Sequence, residues 1–592
     1  MSLQETIRAF RRENPVLIEM LSGLNTLEEA REAVFSHIIR HETETLSEVE
    51  ARHPMERAVA RRCLHALKNI FSLRSETLSG FSALEALRKM AVGMEPGVEQ
   101  AFVEEMRHLF RGMRGATGIY GAYETGEETA AGGRSAARIR SDALDEIAAQ
   151  AHRGMKRFPA GTDPEITLLR QENRQRILAE LGATREQWED WRWQCRNVIR
   201  DVQMARRLIH LTPEEEEGIL QMTQLGLPFG ITPYYASLMD PDAGRKRDHA
   251  VRAQVIPPLS YTRIMGEQRH HPQDLDFMGE SDTSPLDLIT RRYPMITIFK
   301  PYNTCAQICV YCQRNWEIGN VLERGSRARE EQLEAAIRWH TEHPEVTEVL
   351  VTGGDPAILG DRMIRSILGR LCEISHIHRI RIGTRTPVVL PMRITESYAD
   401  LLAGFRDPGH REICLMTHFE HPYEVTPEAL EAVERLRSRG IPVYNQGVFT
   451  PENARKFEMA ALRRSLRSIG VDPYYTFNTK GKEETRAYRV PIARLLQEQA
   501  EEARLTPGLD RTDEAVFNIP RLGKNYLRAG QNHEVIMILP DGKRIYEFYP
   551  WDMSLEDVSP YIHTDPEILG FLQEMEARGE NPEDYESIWY YL

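Results

Sequence analysis

Residues 298–316 read IFKPYNTCAQICVYCQRNW. A short apolar run gives way to a loop in which Cys305, Cys309 and Cys312 stand at C-x3-C-x2-C spacing. Three thiolates so spaced hold three irons of a 4Fe–4S cluster and leave the fourth open to chelate a substrate. The alternatives are a zinc site or unconnected core cysteines. Zinc takes four ligands, and no fourth Cys or Cys/His pair lies near the run. The chain has only seven cysteines in 592 residues. Few thiols and a thiolate-held cluster predict a reducing, cytoplasmic setting.

The same stretch opens a repeating pattern. Apolar strands are predicted at MITIFK (295–300), TEVLVT (347–352), HRIRIG (378–383), EICLMT (412–417), IPVYNQ (441–446) and PYYTFN (473–478). Amphipathic helical stretches lie between them. EEQLEAAIRWH puts Leu333, Ala336, Ile337 and His340 on one face, and TPEALEAVERLRSRG runs from a Thr426 cap to a terminating Gly440. Six strands alternating with helices predict an α/β fold, a partial (βα)6 barrel with a parallel sheet. Polar residues follow each strand: the cysteine loop, Gly353-Gly354-Asp355, Arg385, His418, Asn445 with Gln446, and Lys480. In a barrel these share the C-terminal rim, where ligands bind.

Working outward, the first 112 residues read as helices. ARHPMERAVARRCLHALKNIF places Val59, Cys63, Leu64, Leu67 and Ile70 on one face. Residues 114–135, rich in Gly, Ala, Thr and Glu, read as a loop or linker. A second helical region spans about 165–225, with Thr212 as N-cap and Pro213 at the first helical position. The formal charge of −14 argues against nucleic acid as a main partner. No apolar run approaches the ~18 residues of a membrane span, and the N-terminus lacks a signal-peptide core.

A cluster loop after the first strand of such an array resembles the radical S-adenosylmethionine (SAM) superfamily, and Tyr311 before the third cysteine suits its pattern. VTGGDP, HRIRIGTRTPVVLPMRIT, LMTHFEHPYEVTPEAL and IPVYNQGV, with LTPEEEEG and ITPYYASLMDP upstream, resemble the lysine 2,3-aminomutase family over about residues 180–550. The resemblance implies that Cys305, Cys309 and Cys312 ligate the cluster and that SAM chelates the open iron. Gly353 and Gly354 would let the backbone approach SAM, with Asp355, Tyr311, Arg385, His418 and Gln446 nearby. It also implies pyridoxal 5′-phosphate (PLP), joined to a lysine after a Gly-rich turn. Here that stretch is VFNIPRLGKNYL, and Lys524 is the candidate. Arg292 in RRYP matches one of two phosphate-binding arginines, whereas Ile296 stands at the second position. Arg314 matches the arginine that forks the substrate α-carboxylate.

Two aspartates bind the distal ammonium in the lysine enzymes. Lys480 and Asn518 stand at the matched positions. A cation and a neutral donor repel an ammonium and attract a carboxylate. The pair resembles the glutamate 2,3-aminomutase branch and implies an isomerase interconverting L-glutamate and β-glutamate. The alternatives are lysine or another amino acid as substrate, or a PLP-free radical SAM enzyme modifying a peptide or protein. Expected partners are the amino acid, an electron donor such as flavodoxin or ferredoxin, and a possible second copy of the chain. The expected division is a helical N-terminal extension (1–170), a helical or irregular lead-in (171–289), the barrel (290–525) and a C-terminal segment (526–592). That last segment has no cysteine, so no zinc site is expected in it.

Overall fold

The computed structural model describes residues 2–47, 53–120, 133–241, 244, 247–268, 275–479, 481–529, 533–549 and 559–592. Nine strands form one sheet in strictly sequential order: β1 (Ile289–Thr290), β2 (Ile296–Tyr302), β3 (Glu348–Gly353), β4 (Arg379–Gly383), β5 (Glu412–Thr417), β6 (Val443–Phe449), β7 (Val471–Asn478), β8 (Glu514–Ile519) and β9 (Gly523–Tyr526). All pairs from β2 to β8 are parallel, and the short edge strands β1 and β9 pair antiparallel. The six predicted strands are β2 to β7. The sheet has a seventh parallel strand, β8, carried by EAVFNI.

Sequential parallel strands need a crossover at every step, and helices supply most of them. Glu330–Glu342, Asp361–Cys372, Glu396–Ala403, Pro427–Arg437 and Glu458–Ser468 fill the gaps from β2 to β7. The face of the sheet that meets these helices is apolar, whereas the inner face also carries Glu348, Arg379 and Arg381. Val349, Val351, Ile380, Ile382, Ile413 and Leu415 are all at most 3% exposed. One contact fixes which face of β2 is which. Thr297 Oγ1 lies 2.9 Å from His340 Nε2 in the first crossover helix, while His340 Nδ1 lies 2.8 Å from Ala336 O. The odd positions of β2 therefore face the helices, and Ile296, Ile298 and Lys300 face inward.

The caps read from sequence are present. Thr212 closes a capping box with Glu215 ahead of Pro213, and Thr426 caps Pro427–Arg437, after which Gly440 turns left-handed at φ +71°. Val59, Cys63, Leu64, Leu67 and Ile70 are buried on the helix Pro54–Ile70. Most of the predicted 114–135 loop (121–132) lies outside the described residues.

The compact units differ from the four expected segments. One comprises Ala151–Arg489 with Glu502–Tyr526, so the lead-in and barrel form one unit. The other joins Met1–Gln150 to Val490–Glu501 and Leu527–Leu592. The N-terminal helices are thus no separate extension but fold with the C-terminal segment. There, β10 (His533–Ile538), β11 (Arg544–Phe548) and β12 (Tyr561–Thr564) form an antiparallel sheet. A buried ion pair joins the two segments. Arg544 forks Glu105, Nε to Oε1 and Nη2 to Oε2, both at 3.0 Å, and also donates to the carbonyls of Trp589 and Tyr591. No helix among the described residues is long and apolar enough to cross a membrane.

Arg544→Leu should leave Glu105 buried without its partner and cost about 3–5 kcal/mol. Adding Glu105→Leu should recover part of that loss. Urea unfolding of the two variants beside the wild type measures both, and a single variant as stable as wild type would contradict the pair's role.

Candidate active site

The cysteine run leaves β2 at Tyr302. Residues 303–320 form turns and isolated bridges. All three cysteines are free, half-buried thiols. They share a small pocket with Met222, Leu227, Tyr261 and Met265. Backbone docking holds the loop: Gly354 N donates to Tyr302 O at 2.7 Å and Asp355 N to Thr304 O at 2.9 Å. A Cβ on Gly354 would lie 2.2 Å from Thr304 O, and one on Gly353, at φ +113°, 2.6 Å from Tyr302 O. Both glycines are thus demanded by the cluster loop itself. Asp355 accepts from Ala357 N at 3.0 Å and from Arg385 N at 2.9 Å, locking the next two rim loops together.

Lys482 clamps the loop from the far side. Its ammonium is 2.6 Å from Asn315 Oδ1, 2.8 Å from Glu484 Oε1 and 3.4 Å from Cys312 O. Donors reach the sulfurs: Arg385 Nη1 to Cys309 Sγ at 2.9 Å, Arg314 N to Cys312 Sγ at 3.3 Å, and the backbone of Asp355 to Cys305. Hydrogen bonds to sulfur are how proteins tune thiolate-held clusters. Burial pushes the Cys305 thiol up, aided by Asp355, and pushes Cys309 up against the pull of Arg385. Iron binding at these thiols would displace protons. The donor set therefore fits a cluster with one open iron.

Arg385 organises the rim. It donates to His418 O at 3.1 Å and to Glu424 Oε1 at 2.9 Å, and also reaches Gln254. Burial, then Arg385, pulls His418 down to about 4, so its ring is neutral at physiological pH. Tyr311 packs 5.0 Å from the Tyr488 ring. Gln446 lies on β6, with its backbone bonded to His418. Asn445 is spent on structure, pairing with both backbone groups of Phe419. Sequence reasoning missed Glu420, whose carboxyl accepts from Val448 N at 2.6 Å and is pushed by burial up to about 8.

The interior of the barrel holds a charge cluster that the sequence did not announce. Glu280, 3% exposed, lies 3.0 Å from Arg314, 3.3 Å from Arg292 and 3.4 Å from Lys300. Glu317 pairs with Lys300 at 3.3 Å and with Arg314. Burial pushes Glu280 toward protonation, but the three cations outweigh it and hold the carboxyl below its usual range. Arg292 Nε and Arg314 Nε are buried with no hydrogen-bond partner among the described residues. Such orphaned donors fit anionic ligands.

Lys524 stands on β9, directly across from Asn518 on β8. The cross-strand register puts both side chains on one face. The ammonium lies 5.1 Å from the Tyr293 ring centre, 5.0 Å from Tyr475 and 5.9 Å from Phe477. Burial, with Arg381 and Arg292, pulls it down to about 8. The turn before it differs from a glycine run: Arg521 takes the left-handed conformation (φ +63°), followed by Gly523 at +93°. A Cβ at Gly523 would lie 2.1 Å from the Tyr293 hydroxyl, which accepts from Lys524 N at 2.6 Å. Lys480 lies outside the described residues.

A buried trio elsewhere, His249, His421 and Glu458, has metal-ligand composition. Its hydrogen bonds argue otherwise. His421 Nδ1 accepts from Tyr423 N at 3.0 Å, so its Nε2 carries the proton and donates to Glu458 at 3.0 Å. Arg455 lies 2.8 Å from the same oxygen. The cation position is taken by a guanidinium.

Comparison with known proteins agrees with this geometry. The radical SAM superfamily model matches residues 299–463. An uncharacterized KamA family protein of Methanocaldococcus jannaschii is 42% identical over 98% of this chain and 96% of its own length. Glutamate 2,3-aminomutase of Clostridioides difficile is 35% identical over 62% of this chain and 81% of its own. L-lysine 2,3-aminomutase of Bacillus subtilis is 37% identical over 53% of this chain and 63% of its own. With a relative matched nearly end to end and a cysteine loop built for a cluster with one open iron, the chain belongs to the KamA family of radical SAM enzymes.

Proposed function

We propose that this enzyme is a PLP-dependent amino acid 2,3-aminomutase that interconverts L-glutamate and β-glutamate. The observation that carries the reading is Lys524: a buried amine pulled down to about 8, caged by aromatic rings and set beside Asn518. An amine in that state is a nucleophile toward a carbonyl carbon near neutral pH. Arg292, with an orphaned donor, supports phosphate binding nearby.

Cys305, Cys309 and Cys312 would hold the cluster. Arg385, His418, Tyr311 and Gln446 would line the SAM side of the rim, over a loop fixed by Gly353, Gly354 and Asp355. When bound, cluster and SAM would supply hydrogen abstraction from an unactivated carbon, and PLP a π-system that shares the unpaired electron as nitrogen moves. Arg314 would orient the substrate α-carboxylate, exchanging its contact with Glu280. Lys480 and Asn518 would take the distal carboxylate. Glu280 and Glu317 do not argue for an ammonium substrate, because both are already committed to cations. The rest of the protein's part is to shield the reacting carbon from water and oxidants.

Single replacement of Cys305, Cys309 or Cys312 by Ala should abolish SAM cleavage in anaerobically reconstituted protein, since three ligands leave no redundancy. Full cleavage by any one variant would refute the cluster assignment.

Lys524→Ala should remove the visible absorbance of bound PLP while leaving the iron content unchanged. In the wild type, PLP capture should rise with pH through a midpoint near 8, because the neutral amine reacts and burial has brought its pKa down to about 8. A midpoint near that of an exposed lysine would remove the role of burial.

Lys480→Asp with Asn518→Asp should cost glutamate turnover about 2–5 kcal/mol, roughly 30- to several-thousand-fold in kcat/KM, and admit lysine weakly. A wild type that prefers lysine would overturn the acidic-substrate assignment.

A further inference from the structure

We propose that Lys300 supplies the second phosphate-binding cation that Ile296 cannot, so that the PLP phosphate lies between Arg292 and Lys300. The assignment rests on the PLP reading above and names the residue that completes its anion site.

Thr297 is bonded to His340, and the Phe299 ring lies 5.9 Å from the same imidazole, so both point to the helix layer. Ile296, Ile298 and Lys300 share the opposite face. Ile296 is the position that lacks its arginine, and its side chain has no donor. Lys300 is on the same face of the same strand, nearer the C-terminal rim, and has a long, flexible side chain.

Lys300 is 8% exposed, so its charge is not solvated at the surface. Its Nζ lies 3.4 Å from Glu280 Oε2, while Arg292 Nη2 lies 3.3 Å from Glu280 Oε1. The two cations thus address opposite oxygens of one anion. Each also keeps a donor in reserve. An ammonium has three donors, and among the described residues those of Lys300 reach Glu280 and Glu317. Arg292 Nε is buried with no hydrogen-bond partner among the described residues. A phosphate can take these spare donors without evicting Glu280.

Charge gives the same answer. Arg292, Lys300 and Arg314 face two carboxylates, Glu280 and Glu317, which leaves one positive charge in excess. Lys524 adds to it whenever it is protonated. A buried excess of positive charge favours an anion, and a phosphate monoester near neutral pH brings about −1.5 to −2.

The test compares PLP with pyridoxal, which lacks the phosphate, by absorbance and fluorescence titration of full-length wild type, Lys300→Met, Lys300→Gln and Lys300→Arg. Lys300→Met and Lys300→Gln should each weaken PLP about tenfold or more and leave pyridoxal within about twofold. Lys300→Arg should keep most of the preference for PLP. Inorganic phosphate should compete with PLP in the wild type and less well in Lys300→Met. Unchanged PLP affinity in both neutral variants overturns the assignment alone, and so does an equal loss of PLP and pyridoxal, which would mark a packing role. A wild type that takes up pyridoxal and PLP equally also overturns it. A wild type that takes up neither overturns the PLP reading together with it.

Discussion

Three cations cannot be buried side by side without a counter-charge. Two like charges 4 Å apart repel by about 4 kcal/mol at an effective dielectric of 20. Glu280 answers that constraint inside the barrel by touching Arg292, Lys300 and Arg314 at once. These four residues come from different places: the lead-in, the approach to β2, β2 itself and the cysteine loop. One carboxylate therefore pins the lead-in to the barrel and sets the cluster loop against the interior. The lead-in and barrel form one compact unit in part for this reason. The same carboxylate keeps the arginines extended and desolvated, with donors still spare, before any ligand arrives. That is preorganisation of an anion site by an internal anion.

The cluster loop is fixed by the chain rather than by its cysteines. The rim of β3 docks on it through two backbone hydrogen bonds that only glycines permit, Asp355 ties that rim to β4, and Lys482 holds it from the end of β7. Gly353 and Gly354 thus have a sufficient structural reason to be glycine, whatever else approaches them. Arg385 then connects the loop to the rim of β5 by bonding both Cys309 and the backbone of His418. Polar residues at the strand ends are in this way half scaffold and half site. Asn445 belongs wholly to the scaffold.

The parts of this molecule that were legible in the sequence are those encoded locally. β2 to β7, the capped helices and the cysteine spacing each declare themselves within a dozen residues. β8 is not legible as a strand because VFNI runs straight into the turn that carries Lys524, whose Pro and Gly mask the strand pattern. Register was not legible either: that Asn518 faces Lys524 follows from a hairpin whose tight turn needs a left-handed Arg521. Lys300 gave no signal, since a lysine ending a strand is ordinarily a solvated charge. Its burial and its pairing with Glu280, 20 residues earlier, emerge only in the fold. The second unit was least legible of all. Arg544 and Glu105 are 439 residues apart, and no local pattern marks them as partners.

Lys524 shows how these constraints act together. Its aromatic cage favours the ammonium, by about 0.5–2 kcal/mol for a ring contact. Burial, Arg381 and Arg292 favour the neutral amine, and they win, since the pKa falls to about 8. Arg292 therefore serves twice, as an anion donor and as part of the field that keeps the amine reactive. A phosphate bound to Arg292 alone would reverse the sign of that field and restore the proton to Lys524. Arg292, Lys300 and Arg314 already face Glu280 and Glu317, so a bound phosphate shifts the balance at Lys524 toward the ammonium, and the positive charge of Lys300 limits that shift. A second cation on the inner face of β2 thus serves the reactive amine as well as the anion.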